Sequence, residues 1–220
     1  MILLSVSFAE KDQVKALGAR WSADKRSWYI PDHLSDDAKK DLSKWLPGEA
    51  SISEIIGEDR SFLGTSLFVD LIPSSCWFKN VRHSVTPESW DSLRKIIYAR
   101  AGYKCEICGA EKNTQIQRYI EAHERWSYDD QSGVQKLQRL IALCSDCHTV
   151  THIGLAKIRG LGDEALCHLM KVTGLSHREA EAHVLEAFRI WGMRSEREYR
   201  LDLSILTDSK IQLLNETQSD

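Results

Sequence analysis

The stretch CSDCHTVTH, residues 144–152, places two cysteines and two histidines within nine residues. Cys144 and Cys147 repeat a spacing that occurs earlier in CEIC, at Cys105 and Cys108. Two Cys-x-x-Cys pairs offer four thiolates, which meet the tetrahedral preference of a structural zinc ion. The 35 residues between the pairs indicate a small subdomain inserted between the two halves of the site. We therefore predict a structural Zn²⁺ bound by these four cysteines.

The histidines of the same stretch indicate a second metal site. His148 and His152 are four residues apart, so on a helix that begins at the second cysteine pair they project from one face. A third ligand is available at His123, because IQRYIEAH, residues 116–123, has the apolar and β-branched content of a strand. One ligand from a strand and two from a helix predict an open site, separate from the cysteines.

The composition is that of a soluble globular protein, with 42% hydrophobic and 28% charged residues in a chain of 220. No stretch approaches the roughly 18 apolar residues of a membrane span, and the first residues lack a signal-peptide pattern. We expect no membrane association and a cytoplasmic location, where six cysteines favour a metal site over disulfides.

Charge argues against a uniformly basic nucleic-acid binder, because the net charge is −3. Residues 79–160, however, carry 13 Lys and Arg against 9 Asp and Glu, a local surplus of four positive charges (13 − 9). This middle part of the chain is the part suited to face phosphates, although a mixed solvated surface explains the same surplus.

Residues 1–48 read as a small Trp-rich accessory domain. The pattern predicts a strand at SVSF (residues 5–8), a helix that ends at Gly18, a hairpin that ends at Pro31, and a second helix capped by Ser35. Three tryptophans most simply form the core of this domain, and stacking on nucleic-acid bases is the alternative: Trp21, Trp28 and Trp45.

The remaining chain divides into four segments: a connector (49–75), the metal-binding region (76–160), a helical extension (161–207) and a frayed tail (208–220). A helix is predicted to begin at Pro87, which suits a first-turn position. Another is predicted to begin with a capping box formed by Ser176 and Glu179, and to end at Gly192.

The segment KDQVKALGARWSADKRSWYIP, residues 11–31, resembles a small family of unknown function whose signature is KD.AK.LGARWD...K.WYVP. The resemblance covers roughly a fifth of the chain. It implies association with DNA-processing proteins and leaves open a protein partner that docks through residues 1–48.

The segments CEICGAEKN, IEAHERW and LIALCSDCHTVTH resemble the HNH nucleases, whose ββα-metal fold often carries a four-cysteine zinc. Matched residue by residue, His123 takes the first metal-ligand position, and His148 and His152 take the helical ligand positions. We therefore expect an α+β fold: a β-α-β-β-α-like domain, then a ββα-metal domain with flanking and C-terminal helices.

The sequence departs from the HNH pattern at two positions. Glu124 replaces the second histidine, which usually activates water, and Gln138 or Arg139 replaces an asparagine. A carboxylate serves as a general base when its pKa suits the operating pH, so Glu124 is the candidate base. Glu121 is a second choice, although a surface acid is the favoured interpretation there. Strand alternation places Glu121 on the face of His123 and Glu124 on the other, so a local bend would be needed to turn Glu124 toward the metal.

The resemblance implies metal-dependent hydrolysis of DNA, most simply double-stranded, in a phage, mobile-element or defence setting. The second metal is expected to be Mg²⁺, Mn²⁺, Ni²⁺ or Zn²⁺. Three arginines are candidates for clamping phosphates: Arg118, Arg125 and Arg139. Two alternatives stay open: a non-catalytic, zinc-stapled nucleic-acid-binding module, and an adaptor that binds a protein partner.

Overall fold

The computed structural model describes residues 2–4, 6, 8–25, 27–46 and 54–214. The chain forms two compact units, residues 1–53 and 54–220. The boundary predicted after residue 48 falls among residues 47–53, which lie outside the described residues. Of the predicted connector, residues 54–75 belong to the second unit. Four of these residues are buried: Ile55, Leu67, Val69 and Pro73.

The N-terminal unit contains a three-stranded antiparallel sheet and two helices. Its elements are β1 (Ile2–Leu4), α1 (Lys11–Ala16), β2 (Arg20–Ser22), β3 (Ser27–Ile30) and α2 (Asp36–Asp41). The strand order is β1-β3-β2. The first strand lies earlier than predicted, because β1 pairs Leu4 with Trp28 and a 3₁₀ turn begins at Phe8. Ser5 and Ser7 of the predicted strand lie outside the described residues.

Local sequence signals explain both helices of this unit. Helix α1 is followed by Gly18 at φ +94°, and a Cβ there would lie 2.7 Å from Leu34 Cδ1, so glycine suits this close approach. Helix α2 is capped by Ser35, whose hydroxyl accepts a hydrogen bond from the Ala38 amide at 3.3 Å.

The predicted three-tryptophan core is correct in part. Trp45 is buried with Leu4, Val14 and Leu42, and Trp28 packs against this cluster. Trp21, in contrast, is 54% exposed. It lies on the edge strand β2, where its ring meets the edge of Trp28 at a centroid distance of 5.9 Å. A residue on an edge strand has a neighbouring strand on one side only. The ring of Trp21 is therefore covered less than the rings of Trp28 and Trp45.

The second unit contains a three-stranded sheet surrounded by helices. Its elements are α3 (Val81–Ser84), α4 (Pro87–Arg100), β4 (Ile120–Asp129), β5 (Val134–Cys144), α5 (Ser145–Thr151), α6 (Ile153–Ile158), α7 (Gly162–Thr173), α8 (His177–Ser195), β6 (Arg200–Asp202) and α9 (Ser204–Asp208). Strands β4 and β5 are antiparallel, and β6 lies parallel to β5. The molecule is thus of the α+β class.

The hairpin of β4 and β5 leads directly into α5. Pairing runs from Ile120↔Cys144 to Asp129↔Val134, with one irregularity between Arg125 and Trp126. The strand predicted in residues 116–123 begins four residues later, at Ile120, and continues beyond His123. Because α5 begins immediately after Cys144, the end of the hairpin and the first turn of the helix lie together.

The predicted helix starts are confirmed. Helix α4 begins at Pro87 after the N-cap Thr86, and α8 has the capping box of Ser176 and Glu179. Helix α8 ends at Ser195 instead of Gly192. A single glycine is tolerated inside a helix at a cost of about 1 kcal/mol, so Gly192 does not end it.

The C-terminal region differs from the prediction of helices followed by a frayed tail. Strand β6 interrupts the helices, because residues 200–202 pair with β5. Beyond Asp208 the chain stays packed: Ile211 is buried, and Leu213 forms an antiparallel bridge with Val85. The last part of the predicted tail, 215–220, lies outside the described residues. Among the described residues no helix is long and apolar enough to cross a membrane.

A buried ion pair ties the predicted connector to the hairpin. Glu58 Oε1 accepts hydrogen bonds of 2.7 Å from both Arg100 Nη2 and the Leu140 amide. The side chains of Glu58 and Arg100 are only 2% and 15% exposed. Removing one partner would therefore leave the charge of the other buried and without its counter-ion.

We expect Glu58→Ala to lower the free energy of unfolding by about 3–5 kcal/mol, because Arg100 and the Leu140 amide both lose their acceptor. Urea unfolding followed by circular dichroism measures this loss. Glu186→Ala is the matched control: it removes an exposed ion pair with Arg189, and we expect a change of at most about 1 kcal/mol. Equal losses in the two variants would contradict the prediction.

Candidate metal centres and active site

The four predicted cysteines lie together. The sulfur atoms of Cys105, Cys108, Cys144 and Cys147 are all within 4.8 Å of one another. The first pair occupies a tight turn, in which the Gly109 amide donates to the Cys105 carbonyl at 2.9 Å and Gly109 has φ +72°. The second pair joins the end of β5 to α5, where the Cys147 amide donates to Cys144 Sγ at 3.5 Å. The group can hold a structural metal ion.

The electrostatics of the cysteines favour a bound cation. Hydrogen bonds from Cys144 and Cys147 hold the pKa of the Cys105 thiol far below its usual range. The same interaction raises the pKa of Cys144 to about 12 and raises that of Cys147 strongly. A thiolate at Cys105 thus disfavours ionisation of Cys144 and Cys147. Four thiolates in this space require a positive ion between them, which a divalent metal supplies.

His168 is a neighbour of this group that the sequence did not reveal. Its Nε2 lies 3.3 Å from Cys147 Sγ, and burial lowers its pKa. The contact arises because α7 packs against α5. No spacing relates His168 to the cysteine pairs, so only tertiary packing identifies it. An N–H at Nε2 would donate to the metal-bound thiolate, a role that residues around a metal site commonly have.

The three predicted histidines form a second cluster. His123 comes from β4, His148 from α5, and His152 from the junction of α5 and α6. Their ring centroids are 5.2 Å apart for His123 and His148, 5.0 Å for His123 and His152, and 4.7 Å for His148 and His152. One ring nitrogen of each lies within 4.8 Å of the others. This spacing is compatible with three imidazoles around one ion.

Two of the three histidine rings, those of His123 and His152, are kept neutral, as metal ligands must be. Burial holds the pKa of His123 well below its usual range and lowers that of His152 to about 4. Nε2 of His123 is buried and has no hydrogen-bond partner among the described residues. A buried polar atom without a partner is costly, and a metal ion bound there would satisfy it. The residues present therefore fit a divalent metal.

Glu121 contacts the histidine cluster directly. Its Oε2 lies 3.1 Å from His148 Nδ1, and this hydrogen bond lowers the pKa of the Glu121 carboxyl. A proton held on Nδ1 leaves Nε2 of the same ring free to bind a metal. The sequence interpretation of Glu121 as a solvated or salt-bridged surface acid did not identify its partner: the side chain is 40% exposed, and the β4–α5 contact brings it to His148.

Glu124 occupies a different environment. Its half-buried carboxylate accepts a hydrogen bond from the Val81 amide at 3.3 Å, at the start of α3. Burial raises its pKa, against the opposing effects of that hydrogen bond and of the nearby His148. The expected bend is not at this residue, because the irregularity of the hairpin lies one residue later, after Arg125.

Two of the three predicted phosphate-binding arginines are structural. Arg139 is 3% exposed and binds Glu106 Oε2 at 2.7 Å and the Gly64 carbonyl at 3.0 Å. Arg125 is fully buried, with its guanidinium 4.0 Å from the centre of the Phe68 ring. The prediction is wrong for both, because a side chain that solvent does not reach cannot contact a DNA phosphate.

Arg118 differs from the other two arginines. Its side chain is 29% exposed, and its Nε donates to Asp146 Oδ2 at 2.8 Å in the first turn of α5. Asp146 lies on the same helix as His148, so the Arg118 guanidinium contacts that helix. Binding of DNA by Arg118 stays a prediction.

Comparison with known proteins concerns the N-terminal unit. Residues 1–47 match the family described as Domain of unknown function (DUF5710). The predicted N-terminal domain of unknown function is therefore confirmed. This match covers less than a quarter of the chain, so it characterises the first unit and not the metal-binding one.

Two curated relatives, both named DNA primase TraC, come from Escherichia coli. One is 64% identical over 28 residues, which make up 13% of this chain and 3% of that protein. The other is 42% identical over 48 residues, 22% of this chain and 3% of that protein. The chain thus spans a very small part of the relatives that it matches. No solved structure matches the chain.

We expect Glu121→Ala to weaken metal binding at the histidines about 10- to 100-fold, because the ring of His148 loses the group that orients it. Isothermal titration of Mn²⁺ or Ni²⁺ into protein already loaded at the cysteines measures the affinity. Glu111→Ala removes an exposed partner of Lys104 in the same unit and serves as the control. An affinity unchanged in Glu121→Ala would show that the contact with His148 is incidental.

Proposed function

We propose that the second unit is a metal-dependent endonuclease or nickase that hydrolyses phosphodiester bonds in DNA. The observation that carries the proposal is the cluster of His123, His148 and His152. His148 directly follows Cys147 of the cysteine group. A metal held by the cysteines, which we expect to be Zn²⁺, would fix α5 against the end of β5. That helix presents His148 to the ligand on β4. The succession of β4, β5 and α5 supports the resemblance to HNH nucleases.

The surroundings support DNA as the substrate. Both curated relatives are called DNA primases. The local surplus of positive charge in residues 79–160 suits a polyanion. Arg118 is the one of the three predicted arginines that solvent reaches. Double-stranded DNA is the substrate that we expect at the histidine site.

The ligand set limits which metal ions suit the site. A divalent ion at such a site stabilises charge on the phosphate and on the leaving oxygen of the reaction. Three neutral imidazoles suit Zn²⁺, Ni²⁺ or Mn²⁺, and Mg²⁺ would have to keep several waters there. Glu121 holds a proton on Nδ1 of His148, so that Nε2 faces the ion.

The general base that we assign is Glu124. Its raised pKa lies closer to neutral pH than that of an ordinary glutamate. A carboxylate with such a pKa is a stronger base, so it accepts a proton from water more readily. The Val81 amide binds Oε1 and orients the carboxylate, and Oε2 is the atom that would accept the proton of the attacking water. Glu124 follows His123 on β4, and its carboxylate is near enough to His148 for that ring to influence its pKa.

Cleavage of supercoiled plasmid tests this function. We expect the purified chain to convert the plasmid to nicked or linear DNA when Mn²⁺, Ni²⁺ or Mg²⁺ is added, and not when the metal is chelated. Inactivity on DNA and RNA across these metals, in protein shown to bind them, would refute the proposed hydrolase.

We expect Glu124→Gln to lower the cleavage rate about 10²- to 10⁴-fold while the metal content stays unchanged. The wild-type rate should be present at high pH and lost as the pH falls through the raised pKa of Glu124, because the base must be ionised. This loss begins at a higher pH than an ordinary glutamate would give. A pH profile of nicking shows it. Glu54→Gln, an exposed carboxyl of the same unit, is the control. Full activity of Glu124→Gln would exclude Glu124 as the base.

A second candidate function is a DNA-binding module without catalysis. The observation that favours it is the position of Glu124, which faces Val81 and stands where HNH nucleases have a histidine. Such a module would bind DNA with an affinity that falls steeply with salt. Its binding would survive His152→Ala, and no condition would yield cleavage.

A further inference from the structure

The sheet of the N-terminal unit has one covered face and one open face. Strand pairing places Leu3, Tyr29 and Arg20 side by side, on β1, β3 and β2. Their neighbours along the strands, Leu4 and Trp28, point to the other face and belong to the hydrophobic core. Arg20 is exposed, Leu3 is 38% exposed, and Tyr29 is half-buried. Solvent therefore reaches a row that joins a cation, an aromatic ring and an aliphatic side chain.

The chemistry of this row matches a nucleotide. The strand residues that alternate to this face are Leu3, Arg20, Ser22, Ser27 and Tyr29, and none of these five is acidic. An aromatic ring stacks on a base whatever its identity, and an adjacent guanidinium binds phosphate. The row contains too little apolar surface for a hydrophobic protein interface, with Leu3 as its one aliphatic side chain. Its charge and its ring favour a flexible polyanion that carries flat groups.

The turn next to the row carries charges of both signs. Strands β2 and β3 are joined through residues 23–26, of which Arg26 lies outside the described residues. The Lys25 amide donates to Ser22 Oγ at 3.3 Å, which holds the turn against the end of β2. Asp24 and Lys25 are both exposed, so their charges offset each other. Arg20 is therefore the cation that the row itself contributes.

We propose that the open face of the N-terminal sheet binds single-stranded DNA, with a base on the ring of Tyr29 and a phosphate on Arg20. The choice of DNA rests on the function proposed for the second unit. The single strand follows from the row itself, because a duplex hides the faces of its bases and an unpaired strand exposes them. Residues 1–53 thereby gain a binding role of their own, independent of the metal chemistry.

Fluorescence anisotropy of a labelled single-stranded oligonucleotide tests the proposal. The full chain is used without added divalent metal, so that binding is measured without cleavage. We expect Tyr29→Leu and Arg20→Glu each to weaken binding about fivefold or more, because one loses the stacking ring and the other repels phosphate. Tyr29→Phe keeps the ring, so its affinity should stay within about twofold of the wild type.

Two control variants identify the face. Trp21→Leu removes an exposed aromatic ring that points to the opposite face of the same sheet. Lys40→Glu makes the same change of charge as Arg20→Glu, on the exposed side of α2. Both should bind as the wild type does. Thermal unfolding followed by circular dichroism shows whether each variant is folded, and Arg20→Glu still tests the face if Tyr29→Leu is not.

The outcomes separate this proposal from the proposed nuclease. Binding that depends on Tyr29 and persists in His123→Ala supports the open face even if no plasmid is cut. Unchanged binding by Tyr29→Leu, or a loss produced by Trp21→Leu instead, overturns it even if the nuclease is active. A duplex of the same length whose binding Tyr29→Leu weakens as much as that of the single strand also overturns it.

Discussion

His123→Ala should lose the exchangeable metal and all measurable DNA cleavage. The ring of His123 is the ligand from β4, and its buried Nε2 has no partner among the described residues, so alanine removes the ligand that joins strand to helix. Two ligands from one short helix hold a divalent ion poorly. We expect the rate of plasmid nicking to fall by at least about 10³-fold, as for removal of the group that carries the charge stabilisation.

Elemental analysis gives the decisive number for this variant. The wild type should contain one tightly held zinc and a second metal that dialysis removes, whereas His123→Ala should retain the first alone. His83→Ala, which removes an exposed histidine of α3, is the matched control and should keep both metals and full activity. A wild-type protein that never binds more than one metal would contradict the second site and favour the non-catalytic module.

Cys105→Ser should unfold the second unit. Its thiol has a pKa held far below its usual range by hydrogen bonds from Cys144 and Cys147, so it supplies a thiolate to the metal. Structural zinc contributes about 10–16 kcal/mol of apparent binding free energy in small zinc domains, as much as the whole stability of a typical domain. We expect the near-ultraviolet circular dichroism of the unit to disappear and the protein to aggregate or be degraded.

Cys167→Ser is the control for this variant. Cys167 is exposed on α7 and lies outside both metal groups, so its replacement should change neither the zinc content nor the thermal midpoint. Prolonged chelation of wild-type protein should reproduce the effect of Cys105→Ser, and added zinc should reverse it. A second unit that stays folded after its zinc is removed would show that the hydrophobic core alone suffices.

Much of the architecture was predictable from local sequence. Pro87, Ser35 and the pair of Ser176 and Glu179 act on the backbone within one helical turn, so their effect needs no tertiary context. The exposure of Trp21 and the pairing of β6 with β5 were not predictable. Both depend on which strand lies at a sheet edge, and that is decided by residues far away in the chain.

The same distinction between local sequence and tertiary packing applies to the candidate site. The sequence by itself determined both ligand sets, because Cys-x-x-Cys spacing and the interval from His148 to His152 are matched by local backbone geometry. Only the tertiary structure decided what surrounds them. The contact of Glu121 with His148 and the burial of Arg125 follow from how β4 packs on its neighbours. Burial and ion pairing depend on how the whole chain packs, and the identity of a charged residue in the sequence is the same on a surface and in a core.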